Sequence, residues 1–144
     1  IRSAHNVGSA FRTADSFKVD KVWLCGICAV PPSAEIHKSA LGAEDSVEWE
    51  YVKDTMDAVR RLKDEGYVIV SAEQTVGSVM LDRFVPDQGR KYAVVFGNEV
   101  SGVSQEVVDA SDIALEIPQF GTKHSLNVSV SMGVILWHFK LHKL

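Results

Sequence analysis

With 144 residues, 46% of them hydrophobic and 24% charged, the chain is sized for one domain with a real core and no disulfide staples. A net charge of −4 argues against general electrostatic attraction to nucleic acid, though it leaves room for a local basic site. No apolar run reaches membrane-spanning length and no signal peptide opens the sequence, so the expectation is a cytoplasmic protein without a membrane partner.

In chain order, "NVGSAFRTADSF" (Asn6–Phe17) predicts a short helix after a loop, and "KVWLCGICAV" an apolar strand. From Pro31 to about Glu50 the sequence is polar. Its acidic run, Glu44, Asp45, Glu48 and Glu50, reads as a solvated surface. "DTMDAVRRLKDEGY" predicts a helix capped by Asp54, with Met56, Val59 and Leu62 as its apolar stripe and Gly66 as its stop. "YVIVSAEQ" and "YAVVFGNE" predict buried strands, Ser104 to Ala110 a short helix with Ser104 as cap, and "DIALEIP" another strand.

The closing segment is ambiguous. In "HSLNVSVSMGVILW" polar and apolar residues alternate from Ser125 to Ser131 as in a half-buried strand. Yet Leu126, Val130, Val134, Trp137 and Leu141 fall at helical spacing. The residues leave both readings of this closing element, Ser125 to about Lys140, open.

Cys25 and Cys28 form a C-x-x-C, but the pair sits in an apolar run that ends at Pro31-Pro32 rather than opening a helix. With no second cysteine pair for zinc, buried structural thiols are expected, and no metal. His138 and His142, near the end of the closing helix, fit structural roles that complement the helix dipole.

Strands separated by helices imply an α/β fold, a parallel sheet with helices on both faces. Ligands of such sheets collect beyond the strands' carboxyl ends, here the loops "AEQT", "FGNEVSG" and "IPQFGTKHS". Neither the dinucleotide nor the P-loop glycine fingerprint is present, which disfavours a Rossmann-like oxidoreductase.

Three stretches, "NVGSAFRTAD", "VFGNEVSGVS" and "IPQFGTKHSLNVSVSMG", resemble in order and separation the three motifs of the SpoU-like (TrmH-type) branch of the SPOUT RNA methyltransferases. They cover the chain almost from end to end. The resemblance implies an α/β fold with a C-terminal trefoil knot, an exception to the no-knots rule. It further implies S-adenosylmethionine as methyl donor, a ribose 2′-hydroxyl of tRNA or rRNA as acceptor, and a homodimer. Relatives place a strand before motif one, and many carry an N-terminal RNA-binding domain. Here motif one begins almost at residue 1, so residues 1–144 are expected to form a single methyltransferase domain without those additions.

By the same resemblance Arg12 is the motif-one arginine and Glu99 the motif-two glutamate. Arg12 would hold a phosphate and stabilise oxyanion charge, with proton abstraction left open because a guanidinium is not ordinarily deprotonated. Its plain alternative is a surface ion pair with Asp15. Glu99 would orient Asn6 or Arg12; its plain alternative is a cap for the short helix that follows. The third motif would begin a helix after a loop bent around the donor, which favours the helical reading of the closing element; small polar residues there serve free N–H groups or aim at a ligand. Ser125 and Asn127 would point to the active centre, while Gly97, Ile117 and Leu126 would hold the donor. Gly97 is expected to let the backbone approach the donor, so Gly97→Val should block binding and leave the fold intact. Trp137 and Phe139 are expected to fill the dimer interface. The alternative function is a non-catalytic module of the same fold that binds RNA or a nucleotide.

Overall fold

The structure is a computed structural model that describes residues 1–123, 125–141, 143 and 144; the expectation for His142 lies outside these residues. The first helix, α1 (Ala4–Ser16), is capped by Ser3, whose Oγ accepts the Asn6 N–H at 3.3 Å. Val7, Ala10, Phe11 and Ala14 recur at helical spacing and are buried. They face α2 (Ala34–Ala40) and α3 (Ala43–Ser46). The α1–α2 crossing is so close that a side chain on Gly8 would meet Ser39 Oγ at 2.0 Å and the Ile36 carbonyl at 2.4 Å.

The expected polar surface between Pro31 and Glu50 is therefore corrected to two helices and the start of a strand, β2 (Trp49–Val52). Ile36, Ala40, Ala43 and Val47 are buried there. Alanine fills two of these four positions, and its small apolar surface is outweighed in the sequence by the polar residues between. The acidic run is partly engaged: Glu44 Oε2 lies 2.9 Å from His37 Nδ1, and Glu50 bonds both Arg61 and Lys21 at 2.7 Å. Arg61 first, then Lys21, pulls the Glu50 carboxyl down to about 2.

The strand β1 (Val22–Cys25) pairs in parallel with β2, Val22 opposite Trp49 and Cys25 opposite Val52. It is shorter than expected because Gly26 takes φ +67° and turns the chain, leaving Cys28 beyond the strand. Both cysteines are free and partly buried. Burial, then the neighbouring Cys28, pushes the Cys25 thiol up to about 11.

Helix α4 (Thr55–Asp64) begins where expected: Asp54 accepts the Met56 N–H at 2.9 Å, and Val59 and Leu62 are buried. Next comes β3 (Val68–Ala72), one of the two inner strands of a second sheet ordered β4–β6–β3–β5, with β4 (Val79–Met80), β5 (Tyr92–Val95) and β6 (Ile113–Glu116). Every pairing in it is parallel. The two residues of β4 and the 3-10 turn Leu81–Arg83 are too short to leave a periodic signal, and neither was anticipated. Along β3, Val68 and Val70 pack with Leu115 and with Ile135 of α6 (Val128–Leu141). Ile69, between them, packs with Val59 and Leu62 of α4 and Val107 of α5 (Gln105–Ala110). Cover on both faces explains the unbroken apolar run of this strand.

The strands β1 and β5 each stand at a sheet edge. Among the described residues β1 pairs only with β2, and β5 only with β3. Both strands line one cavity of about 660 Å³, together with Ile1, Val59 and Phe139. Phe139 packs against Phe84 and Tyr92 in tilted geometry, with ring centroids 5.6 and 5.2 Å away, so part of its surface is already covered within its own chain. His138 stacks on Phe84 and its Nε2 contacts the Phe84 carbonyl, a packing role. No helix among the described residues is long and apolar enough to cross a membrane.

Candidate active site

Motif one and motif two meet at the start of α1. Glu99 stands in the hairpin that follows β5, and its carboxylate reaches the residues ahead of the helix. Arg2 N–H donates to both of its oxygens, at 3.0 and 3.2 Å, and Ser3 N–H to Oε1 at 3.5 Å. The Asn6 side chain, only 6% exposed, donates through Nδ2 to Oε1 at 3.4 Å. Glu99 thus satisfies free N–H groups where the helix dipole favours an anion. It serves α1, in place of the cap for α5 that was its plain alternative. Partial burial raises its pKa, but the hydrogen bonds from Arg2, its own amide, Asn6 and Ser3 prevail, and the carboxyl is lowered overall.

Arg12 lies on the same helix, about 9 Å further along its axis at 1.5 Å per residue. It is exposed, in a groove of about 440 Å³ shared with Asp15, Ser16, Leu41, Gly42 and Ser46. The pairing with Asp15 is not formed: Asp15 Oδ1 accepts from Ser46 Oγ at 3.1 Å, and no ion pair of Arg12 occurs among the described residues. An exposed guanidinium with its fork unused can grip an incoming phosphate or oxyanion.

The third-motif residues are arranged differently from expectation. Ser125 is exposed ahead of α6. Asn127 is turned to its own helix, its Oδ1 accepting the Ser129 N–H at 2.9 Å and its carbonyl the Ser131 N–H at 3.0 Å. The helix therefore starts at Val128 with Asn127 Oδ1 as its cap, which leaves the Asn127 side-chain nitrogen free of this duty. Ile117 follows β6 and rests against the Val68–Val70 core; Leu126 is 40% exposed.

At Gly97 the fold supplies a reason for glycine besides the one expected. A Cβ there would lie 1.9 Å from the Gly102 carbonyl carbon and 2.2 Å from the Val103 nitrogen. The missing side chain makes room for the loop's own backbone, so Gly97→Val would disturb the fold as well as any ligand. The sequence reading also missed the Arg2 and Ser3 amides, since backbone donors have no residue signature. It passed over Glu73, whose signal is a charge closing the apolar run "YVIVSAE". Among the described residues no group of three or more His, Cys, Asp or Glu is placed to hold a metal ion.

Comparison with known proteins decides the family. The SpoU rRNA Methylase family model matches residues 1–137. The chain belongs to this family. It is 37% identical over 147 residues to the 23S rRNA (guanosine-2′-O-)-methyltransferase RlmB of Nitrosomonas europaea, covering 99% of this chain and 54% of that protein. To the tRNA (guanosine(18)-2′-O)-methyltransferase of Aquifex aeolicus it is 31% identical over 140 residues, 95% of this chain and 64% of that one. Among solved structures, the AdoMet-bound rRNA methyltransferase from Sinorhizobium meliloti superposes with a TM-score of 0.92 at 26% identity, over 99% of this chain and 54% of that chain. The chain thus spans about half the length of several relatives it matches.

Proposed function

We propose that this chain is the catalytic domain of an S-adenosylmethionine-dependent methyltransferase that modifies a ribose 2′-hydroxyl of tRNA or rRNA. One observation carries the reading: Glu99 joins the motif-two hairpin to Asn6 and the start of α1, on the helix that presents the unpaired Arg12. The names of the relatives supply the reaction class.

A ribose hydroxyl is a poor nucleophile at neutral pH, so charge developing on its oxygen must be met by a positioned donor. Arg12 supplies a planar cation for that oxygen or for the adjacent phosphate, and Glu99 and Asn6 hold the helix that carries it. The donor would bring an activated methyl group. The residues present fit it: β3, β5 and β6 are parallel neighbours, so their following loops share one sheet edge. Partly exposed Ile117 and Leu126 there offer apolar contact for an adenine ring.

The same proposal includes a homodimer working in the cytoplasm, and a trefoil knot formed by the segment that leads into α6. Support for the dimer comes from Val130, Val134, Trp137 and Leu141, exposed by 51, 38, 49 and 43% along one stripe of α6. An apolar stripe left open on a helix fits a second subunit. The open edges of β1 and β5 across their shared cavity support one further parallel strand in the complete protein. Mass mapping of 2′-O-methyl nucleotides in RNA from cells with and without the gene tests the function. Loss of a specific 2′-O-methyl nucleotide is expected. An unchanged map together with retained donor binding would leave a non-catalytic binding module instead.

A further inference from the structure

We propose that Glu73 is a positioning residue for this site, a peg at the end of β3 that sets the height of the hairpin carrying Glu99. The inference rests on the proposed methyltransferase reading and adds a residue outside the three motifs.

The hairpin is internally stiff. Asn98 and Gly102 exchange backbone hydrogen bonds at 3.3 and 3.1 Å. Asn98 Oδ1 accepts the N–H groups of Val100 and Ser101 at 2.9 and 2.7 Å, and Asn98 Nδ2 donates to Ser101 Oγ at 2.7 Å. Gly97 packs directly on the Gly102–Val103 peptide. Such a unit moves as one body, and its position is set by what holds its two ends. One end continues from β5. At the other, Val103 N–H donates to Glu73 Oε2 at 2.9 Å.

Glu73 is itself well anchored. Its backbone N–H donates to the Leu115 carbonyl at 3.1 Å, which ties it to β6, and its Oε1 accepts the Gln74 N–H at 3.2 Å. Gly102 is shaped to it, with φ +69° and a Cβ position that would lie 2.3 Å from Glu73 Oε2. The chain of contacts therefore runs from β3 through Glu73, Val103 and the hairpin to Glu99, then to the Arg2 and Ser3 amides and Asn6. Glu73 touches none of the last three. Its effect on catalysis passes through the hairpin.

The test compares Glu73→Ala and Glu73→Gln with the wild type in the full-length protein. Steady-state methylation is read with donor and RNA varied separately, and the Arg2 and Ser3 amide NMR signals are followed. Removing the acceptor in Glu73→Ala should lower kcat by about tenfold or more, with the donor KM within about threefold, the pattern of an interaction expressed in the transition state. The Arg2 and Ser3 amides should lose the shift and exchange protection that the Glu99 carboxylate gives them. Glu73→Gln keeps an oxygen for the Val103 N–H and should restore kcat to within about threefold of wild type and return both amides. Unchanged kcat and unchanged amides in Glu73→Ala would overturn the proposal. So would a loss confined to the donor KM, which would make Glu73 a donor contact. If the wild type binds donor but transfers no methyl group, the proposed activity fails, and the Arg2 and Ser3 amides alone decide the role of Glu73.

Discussion

Arg12 is exposed and unpaired on a helix whose other end is held by a carboxylate, an arrangement that a purely structural arginine does not require. Arg12→Ala should lower single-turnover methylation roughly a hundredfold to a thousandfold, the usual effect of losing one preorganised oxyanion partner. Donor affinity should change little. Arg12→Lys should recover little of the rate, since lysine lacks the planar fork. Near-normal rates in both would make Arg12 a surface residue. Glu99 predicts a pH effect of definite sign. Its carboxyl is lowered in the folded protein, so its contribution to stability is present above the ordinary carboxylate value of about 4.3 and is lost as pH falls through its folded value. The urea midpoint of the wild type should exceed that of Glu99→Gln at neutral pH, and the gap should close in acid. A gap that widens in acid would contradict the clamp. Motif matching made the Asn6–Glu99 pairing legible in sequence; the capping by Asn127 and the backbone contact at Gly97 were not, because they depend on neighbours that only folding supplies.

At the scale of elements, the strand-end hairpin and the helix starts determine where the polar groups stand. Gly97→Val would force a side chain into the Gly102–Val103 peptide, where the Cβ alone would be 1.9 Å from the Gly102 carbonyl carbon. Overpacking of this kind commonly costs about 1–3 kcal/mol, and against rigid backbone the upper end is expected. Thermal unfolding should show the loss without any donor present. An unshifted Tm would contradict the packing. Helix α4 and strands β3, β5 and β6 were readable because long side chains or unbroken apolar runs marked them. Helices α2 and α3 were not, since Ala40 and Ala43 bury little area and the polar and acidic residues on either side conceal the period. The start of α6 was misplaced for a related reason: Ser125 and Asn127 suit the first turn of a helix and the loop before it equally well, and only the Asn127 bond to the Ser129 N–H fixes the boundary.

At the scale of the whole molecule, α6 turns one apolar face inward through Ile135 and leaves a second one open. Phe139, expected at the interface, is partly covered within its own chain, whereas Trp137 remains half exposed beside Phe17, at a centroid distance of 6.4 Å. A double variant, Val134→Lys with Trp137→Glu, should therefore yield monomers in sedimentation without loss of helix content. A dimer that survives it would place the interface elsewhere. The parallel sheet was legible from alternating strands and helices; its division around the β1–β5 cavity was not, because an open strand edge leaves no mark on its own residues. Ribose methylation by the site that Glu99, Asn6 and Arg12 build along α1 is tested most directly by transfer from isotopically labelled S-adenosylmethionine to RNA by the purified full-length protein. The product is digested to nucleosides and identified by mass, with Arg12→Ala in parallel. Label is expected in a 2′-O-methylated nucleoside, with its near disappearance in the variant. Label on a base, or none in the presence of bound donor and a cellular tRNA and rRNA mixture, would contradict it.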